Sequence, residues 1–490
     1  MDRDAGLERA LPLLALTLLG LVLRFWRLGE LSLIGDESYY WLWSRHLDWA
    51  YFDHPAGIAL VTWFSTALGG HGEAAVRWLN ALLGAACVPL VYLLGAQMLS
   101  RRAGLIAATA VAVGAPYLLT SRFVYTDAIQ LLLLLLNMYI FWRLTRSRMD
   151  RPLPLGLCLA FGLSLALLFN TKYSAYLYAG ALSTCVLIDH RWMLARRGFV
   201  LAALIGVLGL LPVIAWNASH GWASFRWQLT HMGFSLSGKS NLAGNLYHSL
   251  TYLSWPLVVL SLAGLFRVRT QSERLLTLVA LYLLLPIALS PANSPRNLAN
   301  GLAALLLLAG ARWPAAVANR RQRWIAGFLA ASLSAIAVYG VGTLLNLSGP
   351  SPWPHSSAVH AIRRDAAGWR SMGTELATYS YPLFALDYSI ASQIRYYGDK
   401  HAYTAWPQYL IWGLPDLDNV TVVSLEYLPE ELVTGRLVNA FENVDGPRAV
   451  TYEERDTVKE VRIWQAEGLR LDSEAFLEQF DFLALIEAAR

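Results

Sequence analysis

Cysteine is scarce in this chain: three residues in 490. Cys87, Cys158 and Cys185 all fall in apolar runs, and no CxxC spacing exists, so neither a zinc site nor a disulfide framework is indicated. Charge is scarce too. Charged residues make up 15%, against roughly a quarter in ordinary soluble proteins. Hydrophobic residues reach 56% and the mean hydropathy is +0.41. These values exclude a disordered chain, a disulfide scaffold and an ordinary cytosolic enzyme, and they point to a polytopic membrane protein. Internal repeats, low-complexity tracts and HExxH-type metal spacings are also missing. The N-terminal apolar run continues to Leu23 without a small-residue cleavage site, so a cleavable signal peptide is not expected.

What charge there is lies unevenly. Residues 1–349 hold 27 Lys and Arg against 13 Asp and Glu, a net +14, whereas residues 350–490 hold 12 against 21, a net −9. The total of +5 therefore conceals two differently built regions, and a basic nucleic-acid surface is a poor reading. A bilayer core of about 30 Å needs roughly 20 apolar residues per helix. Eleven such segments are predicted, over about 10–28, 75–99, 103–121, 124–142, 153–170, 173–190, 198–216, 246–266, 274–290, 298–311 and 324–346. Arginines cluster in alternate loops: Arg101 and Arg102, then 143–151, 191–197, 267–274 and 312–323. The positive-inside rule makes those loops cytoplasmic, with the N-terminus on the same side and the C-terminal region outside.

The expected architecture is mainly α: a membrane domain over residues 1–346, then a small α/β extracytoplasmic domain over 347–490. Gly349, Pro350, Pro352 and Pro354 form a breaker-rich linker between them. Beyond it, β-branched runs at 420–424 and 457–463 read as strands, and 471–489 as a terminal amphipathic helix. Residues 29–74, polar and rich in Trp and Tyr, read as an outer loop with interfacial helices.

Carboxylates are few in the membrane region, so their positions are informative. Five of the thirteen lie within residues 30–53: Glu30, Asp36, Glu37, Asp48 and Asp53. Asp36 and Glu37 lie just past the first span. A carboxylate there, among Tyr39, Tyr40 and tryptophans, suits a general base; it equally suits a helix N-cap. Asp127 follows Arg122 and Tyr125 at a span end, which reads either as a functional group facing a cavity or as half of an Arg122–Asp127 pair. Lys172, one of two lysines before residue 350, is either a headgroup-snorkelling side chain or a cation for a lipid phosphate. Arg296 is a similar candidate. Asp53-His54-Pro55 sets an imidazole beside a carboxylate. The aromatic run 216–234 suits a sugar or lipid site, or an interfacial belt.

Residues 35–55, with their Asp-Glu pair, the aromatic WLWS and the closing YFDHP, resemble the first outer loop of bacterial family 39-like, GT-C-type glycosyltransferases. That group includes protein O-mannosyltransferases and the lipid A aminoarabinose transferase. DESYYWLWS…YFDHP and WNASHGWASFRWQL are most similar to a branch containing lipopolysaccharide-core galacturonic acid transferases. RFVYTDA at 122–128 and NTKY at 170–173 stand where that branch has its second acidic motif and its lysine motif, and residues 379–413 resemble its outer domain.

The resemblance implies a GT-C membrane fold in a bacterial inner membrane, and a sugar donor carried on a polyprenyl phosphate. It also implies an envelope acceptor such as lipid A or the lipopolysaccharide core. By the same resemblance Asp36 deprotonates the acceptor, Glu37 orients the loop or sugar, and Asp127 contacts a substrate. Lys172, with Arg122, Arg296 and His54, meets the donor phosphate, and Tyr39, Tyr40, Asp53 and Tyr125 line the site. Two departures stand out: Pro55-Ala56 replaces the usual double proline, and the aminoarabinose transferase's metal-binding set finds no matching positions, so no metal is carried over. Competing expectations are a protein O-mannosyltransferase, a transporter or flippase for lipid-linked sugars, and a non-enzymatic assembly subunit.

Overall fold

The computed structural model describes residues 2–148, 150–231, 268–289, 299–311, 319–348, 357–454, 457–481 and 485. Arg296, the segment expected at 246–266 and the linker at 349–356 lie outside the described residues. The chain divides into two compact units. One comprises residues 1–28, 48–70 and 77–357; the other comprises 29–47, 71–76 and 358–490.

The first unit is helical. Its elements are α1 (Asp2–Phe25), α3 (Gly57–Gly69), most of α4 (Glu73–Met98), α5 (Arg101–Val113), α6 (Ala115–Arg122), α7 (Thr126–Thr145), α8 (Leu155–Phe169) and α9 (Ser174–Asp189). There follow α10 (Arg197–Leu208), α11 (Leu211–Ser219), α12 (Ala223–His231), α13 (Gln271–Leu289), α14 (Ala299–Gly310) and α15 (Arg320–Ser348). Four stretches are long and apolar enough to cross a membrane: Glu73–Met98, Thr126–Thr145, Arg197–Ser219 and Arg320–Leu347. The pair α5 and α6, bent by 54°, makes a fifth if it is one span. The expected count of eleven is therefore not reached among the described residues. Several predicted spans form shorter apolar helices, such as Leu155–Phe169 and Ser174–Asp189, and at 1.5 Å per residue fifteen residues rise only about 22 Å.

Which side chains are exposed identifies the solvent. On α1, Leu11, Leu14, Leu18 and Val22 form an exposed stripe, and on α10 Leu204, Val207 and Leu208 do the same. Apolar surface on that scale is a liability in water and ordinary in lipid. Inside, α14 is buried at every residue, and it packs on α5 and α13.

The α5–α6 break sets a problem, because backbone carbonyls freed within an apolar region need partners. Gly114 is extended between the two helices and Pro116 opens the second. Arg24 of α1, 1% exposed, answers the break. Its guanidinium donates to the carbonyls of Val111 (2.9 Å) and Ala112 (3.2 Å) and to Ser121 Oγ (2.8 Å). In return, Arg122 of α6 donates to the carbonyls of Trp26 and Arg27, just past the end of α1. Arg24 of α1 closes the loose end of α5, and Arg122 of α6 closes that of α1. Asn80 of α4 completes the joint, donating to the carbonyls of Thr120, Ser121 and Phe123.

The second unit carries the sheet. Helix α2 (Gly35–Arg45) is followed, after the membrane unit, by α16 (Ser357–Ala366), α17 (Trp369–Leu376), β1 (Leu383–Ala385), α18 (Tyr388–Gly398), β2 (Ala402–Tyr403) and α19 (Pro407–Trp412). Then come β3 (Asn419–Leu425), α20 (Glu430–Ala440), β4 (Phe441–Glu454), β5 (Thr457–Leu469) and α21 (Ser473–Gln479). The strand order is β2-β1-β3-β5-β4. β1 is parallel to β2 and β3, and β5 runs antiparallel between β3 and β4, with Val422 opposite Trp464. The strands expected at 420–424 and 457–463 fall within β3 and β5. The described part of the expected terminal helix is Ser473–Gln479, opened by Asp472, whose carboxylate accepts from the Ala475 N–H. Phe384, Val420, Val422, Leu437, Trp464 and Phe476 form the core.

Residues 29–47 and 71–76 join this unit through specific bonds. Arg370 of α17 pairs with Glu73 at 2.7 Å. The Tyr397 hydroxyl accepts from the Leu33 N–H (2.7 Å) and donates to Glu73 (3.1 Å).

Helix α15 packs on α5 and α6 at Gly340, where a Cβ would stand 1.7 Å from the Val113 carbonyl oxygen at the helix break. Gly340→Ala is expected to lower the melting temperature in detergent by several degrees, since overpacking costs about 1–3 kcal/mol. Gly327→Ala, in the same helix but with open space around it, should leave it unchanged or raise it slightly.

Candidate functional site

The residues singled out by the sequence fall into two groups, one in each unit. In the second unit, Asp36 is the second residue of α2. Ile34 occupies the N-cap position, and the capping bond expected as an alternative role for Asp36 belongs to Glu37, whose carboxylate accepts from the Ile34 N–H at 3.1 Å. Glu37 is fully buried. Asp36 is half-buried, and its Oδ1 accepts from the Tyr388 hydroxyl at 2.9 Å. The first turn of a helix favours a charged carboxylate through the helix dipole.

Two further carboxyls stand in this region. Asp365 accepts from the Gly35 N–H at 3.1 Å. Burial pushes its carboxyl up to about 6; Lys459 works against the rise, while Asp36 and Asp387 add to it. Asp387 is N-cap of α18, accepting from the Ser389 N–H (2.6 Å) and the Tyr427 hydroxyl (2.9 Å), and burial raises it too. Lys459 lies 4.3 Å from the Trp369 ring centre, and burial lowers its ammonium to about 8. Gly35 permits the close seating of α2: a Cβ there would be 2.4 Å from Ser389 Cβ. Tyr39 and Tyr40 are buried. The Tyr39 ring packs at a tilt against Tyr388 (4.7 Å) and stacks with Tyr409 (6.1 Å), and its hydroxyl accepts from Trp406 Nε1 at 3.0 Å.

In the first unit, the other motifs converge. Lys172 pairs with Asp127 at 3.0 Å, the two side chains 12% and 2% exposed. The partner of Asp127 is thus Lys172 and not Arg122, which is turned to the end of α1. Asp127 lies in the first turn of α7, after Tyr125 at the N-cap position. A polar relay continues from here: Asn300 donates to Gln130 Oε1 (2.8 Å), and Gln130 donates to Ser174 Oγ (2.8 Å). The loop 51–57 is tied to the lysine motif by the Gly57 N–H, which donates to the Asn170 carbonyl at 2.7 Å. Trp216 Nε1 donates to Asp48 Oδ2 (2.9 Å), Gln228 donates to the Asp53 carbonyl (2.8 Å), and Tyr173 bonds Ser224. The His54 carbonyl accepts from the Tyr51 N–H at 2.9 Å. So YFDHP, RFVYTDA, NTKY and the aromatic run 216–229 form one connected cluster. Among the described residues no group of three or more His, Cys, Asp and Glu is arranged to hold a metal ion.

Sequence reasoning missed Arg24, Asp365 and Tyr388. Arg24 carried a signal, as an ionisable residue near the end of an apolar run. Asp365 and Tyr388 are separated from Asp36 by more than 300 residues, beyond the reach of any spacing argument. Removing one partner of the Lys172–Asp127 pair leaves a buried charge, a loss of roughly 3–5 kcal/mol. Lys172→Met should lower the melting temperature clearly, and Lys172→Met with Asp127→Asn should recover much of the loss; equal melting of single and double variants would remove the coupling.

Residues 53–216 match the family model described as dolichyl-phosphate-mannose-protein mannosyltransferase. Over 193 residues the chain is 30% identical to the lipid A galacturonosyltransferase RgtD of Rhizobium johnstonii, a stretch that covers 38% of this chain and 38% of that relative. Two structures of ArnT from Cupriavidus metallidurans align with a TM-score of 0.61. The apo state is 17% identical, with 94% of this chain and 98% of that one covered; the undecaprenyl phosphate-bound state is 18% identical, with 92% and 97% covered. The oligosaccharyltransferase AglB of Archaeoglobus fulgidus, in complex with an inhibitory peptide and a dolichol-phosphate, aligns with a TM-score of 0.54 and 12% identity over 86% of this chain and 70% of that one. The resemblance drawn from the motifs is thereby supported, and the chain has the GT-C fold of these polytopic membrane proteins.

Proposed function

We propose that this protein is an inverting glycosyltransferase that moves a sugar from a polyprenyl-phosphate donor to an extracytoplasmic acceptor of the lipid A or lipopolysaccharide-core class. The observation that supports it most is a half-buried carboxylate, Asp36, held by a tyrosine at the first turn of a helix, in a chain with the fold of an enzyme solved with undecaprenyl phosphate. The stretch shared with a lipid A galacturonosyltransferase favours the acceptor class. The protein sits in a bacterial inner membrane, with its N-terminus cytoplasmic and residues 347–490 outside, as the arginine-rich loops argue.

The chemistry needs few parts. Asp36 takes the proton of the acceptor hydroxyl as its oxygen bonds to the anomeric carbon. The bond from that carbon to the phosphate oxygen breaks on the opposite face, and the lipid phosphate leaves with the electron pair. Lys172 offsets the charge developing on that phosphate, with Asp127 fixing the ammonium. Arg296 and His54 are further phosphate contacts in this reading, and Asp53 and Tyr125 line the substrate path. Arg122 contributes by holding the end of α1. No protonated carboxylic acid is required, unlike in the paired-carboxyl glycoside hydrolases.

The family model matched over residues 53–216 favours a second reading, a protein O-mannosyltransferase with a peptide acceptor. Transfer from defined polyprenyl-phosphate sugars in nanodiscs, read by mass spectrometry with lipopolysaccharide extract and with peptides, separates the two. A new hexose, hexuronic acid or pentose mass is expected on the lipid fraction, and it should vanish in Asp36→Asn while donor binding persists. Wild-type-like turnover in that variant would remove Asp36 as the base. Lys172→Arg, which keeps a charge for Asp127, should raise the donor KM more than the acceptor KM; equal changes would argue against a phosphate contact.

A further inference from the structure

We propose that Tyr388 is the positioning residue of Asp36, holding its carboxylate in the orientation and charge state that proton abstraction requires. The proposal rests on the reading of Asp36 as the base, and it gives residues 358–490 a direct part in the chemistry.

The geometry is specific. The Tyr388 hydroxyl donates to Asp36 Oδ1 at 2.9 Å. The Tyr388 ring packs at a tilt against two others, 4.7 Å from the Tyr39 ring and 5.0 Å from Trp406. Tyr39 is one turn along the helix that carries Asp36, so the same packing registers both ends of the hydrogen bond. The backbone of Tyr388 is fixed as well: Asp387 caps α18, and the Tyr409 hydroxyl donates to the Tyr388 carbonyl at 3.3 Å. Across from it, Asp365 holds the Gly35 N–H and so the start of α2.

A base fixed in this way avoids the orientational loss that a freely rotating carboxylate suffers in the transition state. The charge state follows from the same neighbours. Asp365 and Asp387, from α16 and the start of α18, are acidic and disfavour a further negative charge. Glu37 lies on the same helix as Asp36, and Lys459 lies beside Asp365. A hydrogen bond donated to the ionised form opposes that repulsion and keeps Asp36 available as a base.

The test compares wild type, Tyr388→Phe and protein with 3-fluorotyrosine at position 388, all full-length in nanodiscs, using a polyprenyl-phosphate sugar and the acceptor accepted by wild type. Tyr388→Phe keeps the ring packing. Its kcat should fall about tenfold with the donor KM unchanged, and the acid limb of kcat/KM should move to higher pH, because the ionised carboxylate loses its donor. The fluorinated phenol is the stronger donor and should move that limb to lower pH, a displacement in the opposite sense that a packing defect would not produce. An acid limb that stays put in both proteins overturns the proposal, as does an unchanged kcat in folded Tyr388→Phe. Should Tyr388→Phe not fold, the fluorotyrosine protein alone decides. Asp36→Asn keeps the two levels apart: if it retains turnover, the base assignment itself fails, whereas an inactive Asp36→Asn beside a wild-type-like Tyr388→Phe sinks only the positioning role.

Discussion

A backbone surrounded by lipid tails has no water to bond, and the architecture of the membrane unit depends on meeting that demand. The chain breaks between α5 and α6 and ends α1 close by, leaving carbonyls exposed at two places. Arg24 of α1 satisfies those at the end of α5, and Arg122 of α6 satisfies those just past α1. Hydrogen bonds to charged groups are worth roughly 1.5–3 kcal/mol each, so the joint is strong as well as complete. Its consequence lies just downstream. Phe123 to Thr126 leave this clamp directly, and Asp127 follows in the first turn of α7, where Lys172 meets it.

The second unit solves a different problem. A unit built on a five-stranded sheet takes in a helix contributed by residues 35–45, far away in the chain, which packs on α18. Tyr397 and Gln393 bond Leu33, just before that segment, Arg370 pairs with Glu73, and Tyr39, Tyr388, Trp406 and Tyr409 seat the helix through ring packing. The aromatic richness of the segment, which reads from sequence as an interfacial signature, is here consumed by packing within protein. Both uses obey the same physics, since an aromatic ring with a polar tip suits any boundary between apolar and polar surroundings. The acidic character of residues 350–490 also acquires a place: Asp365 and Asp387 gather near Asp36, where burial and mutual repulsion lift their carboxyls.

Much of the candidate site was legible from spacing and scarcity. In a region with so few carboxylates, Asp36 and Asp127 stood out, and a lone lysine at the end of an apolar run marked Lys172. Their partners were not legible. Arg122 and Asp127 are five residues apart and read as a pair, yet the helix end beside Arg122 competes for its guanidinium and wins. Asp36 read equally as a cap or a base, and the adjacent Glu37 takes the cap because the third helical residue reaches back to the N-cap N–H. Most of the apolar runs that fall on described residues are helices of nearly the expected extent, as 153–170 is over Leu155–Phe169; the break at Gly114 that divides 103–121 was not readable.

By itself the sequence determined the membrane character, the change to an α/β region near residue 350, the strands at 420–424 and 457–463, and the scarce ionisable residues. Composition and periodicity are local properties, and they survive whatever the chain does elsewhere. Only the tertiary structure decided which carboxylate met which cation, which arginine closed which helix, and that a tyrosine at position 388 holds an aspartate at position 36. Those pairings depend on the directions in which distant side chains point once every backbone group has found its partner, and no linear spacing encodes them.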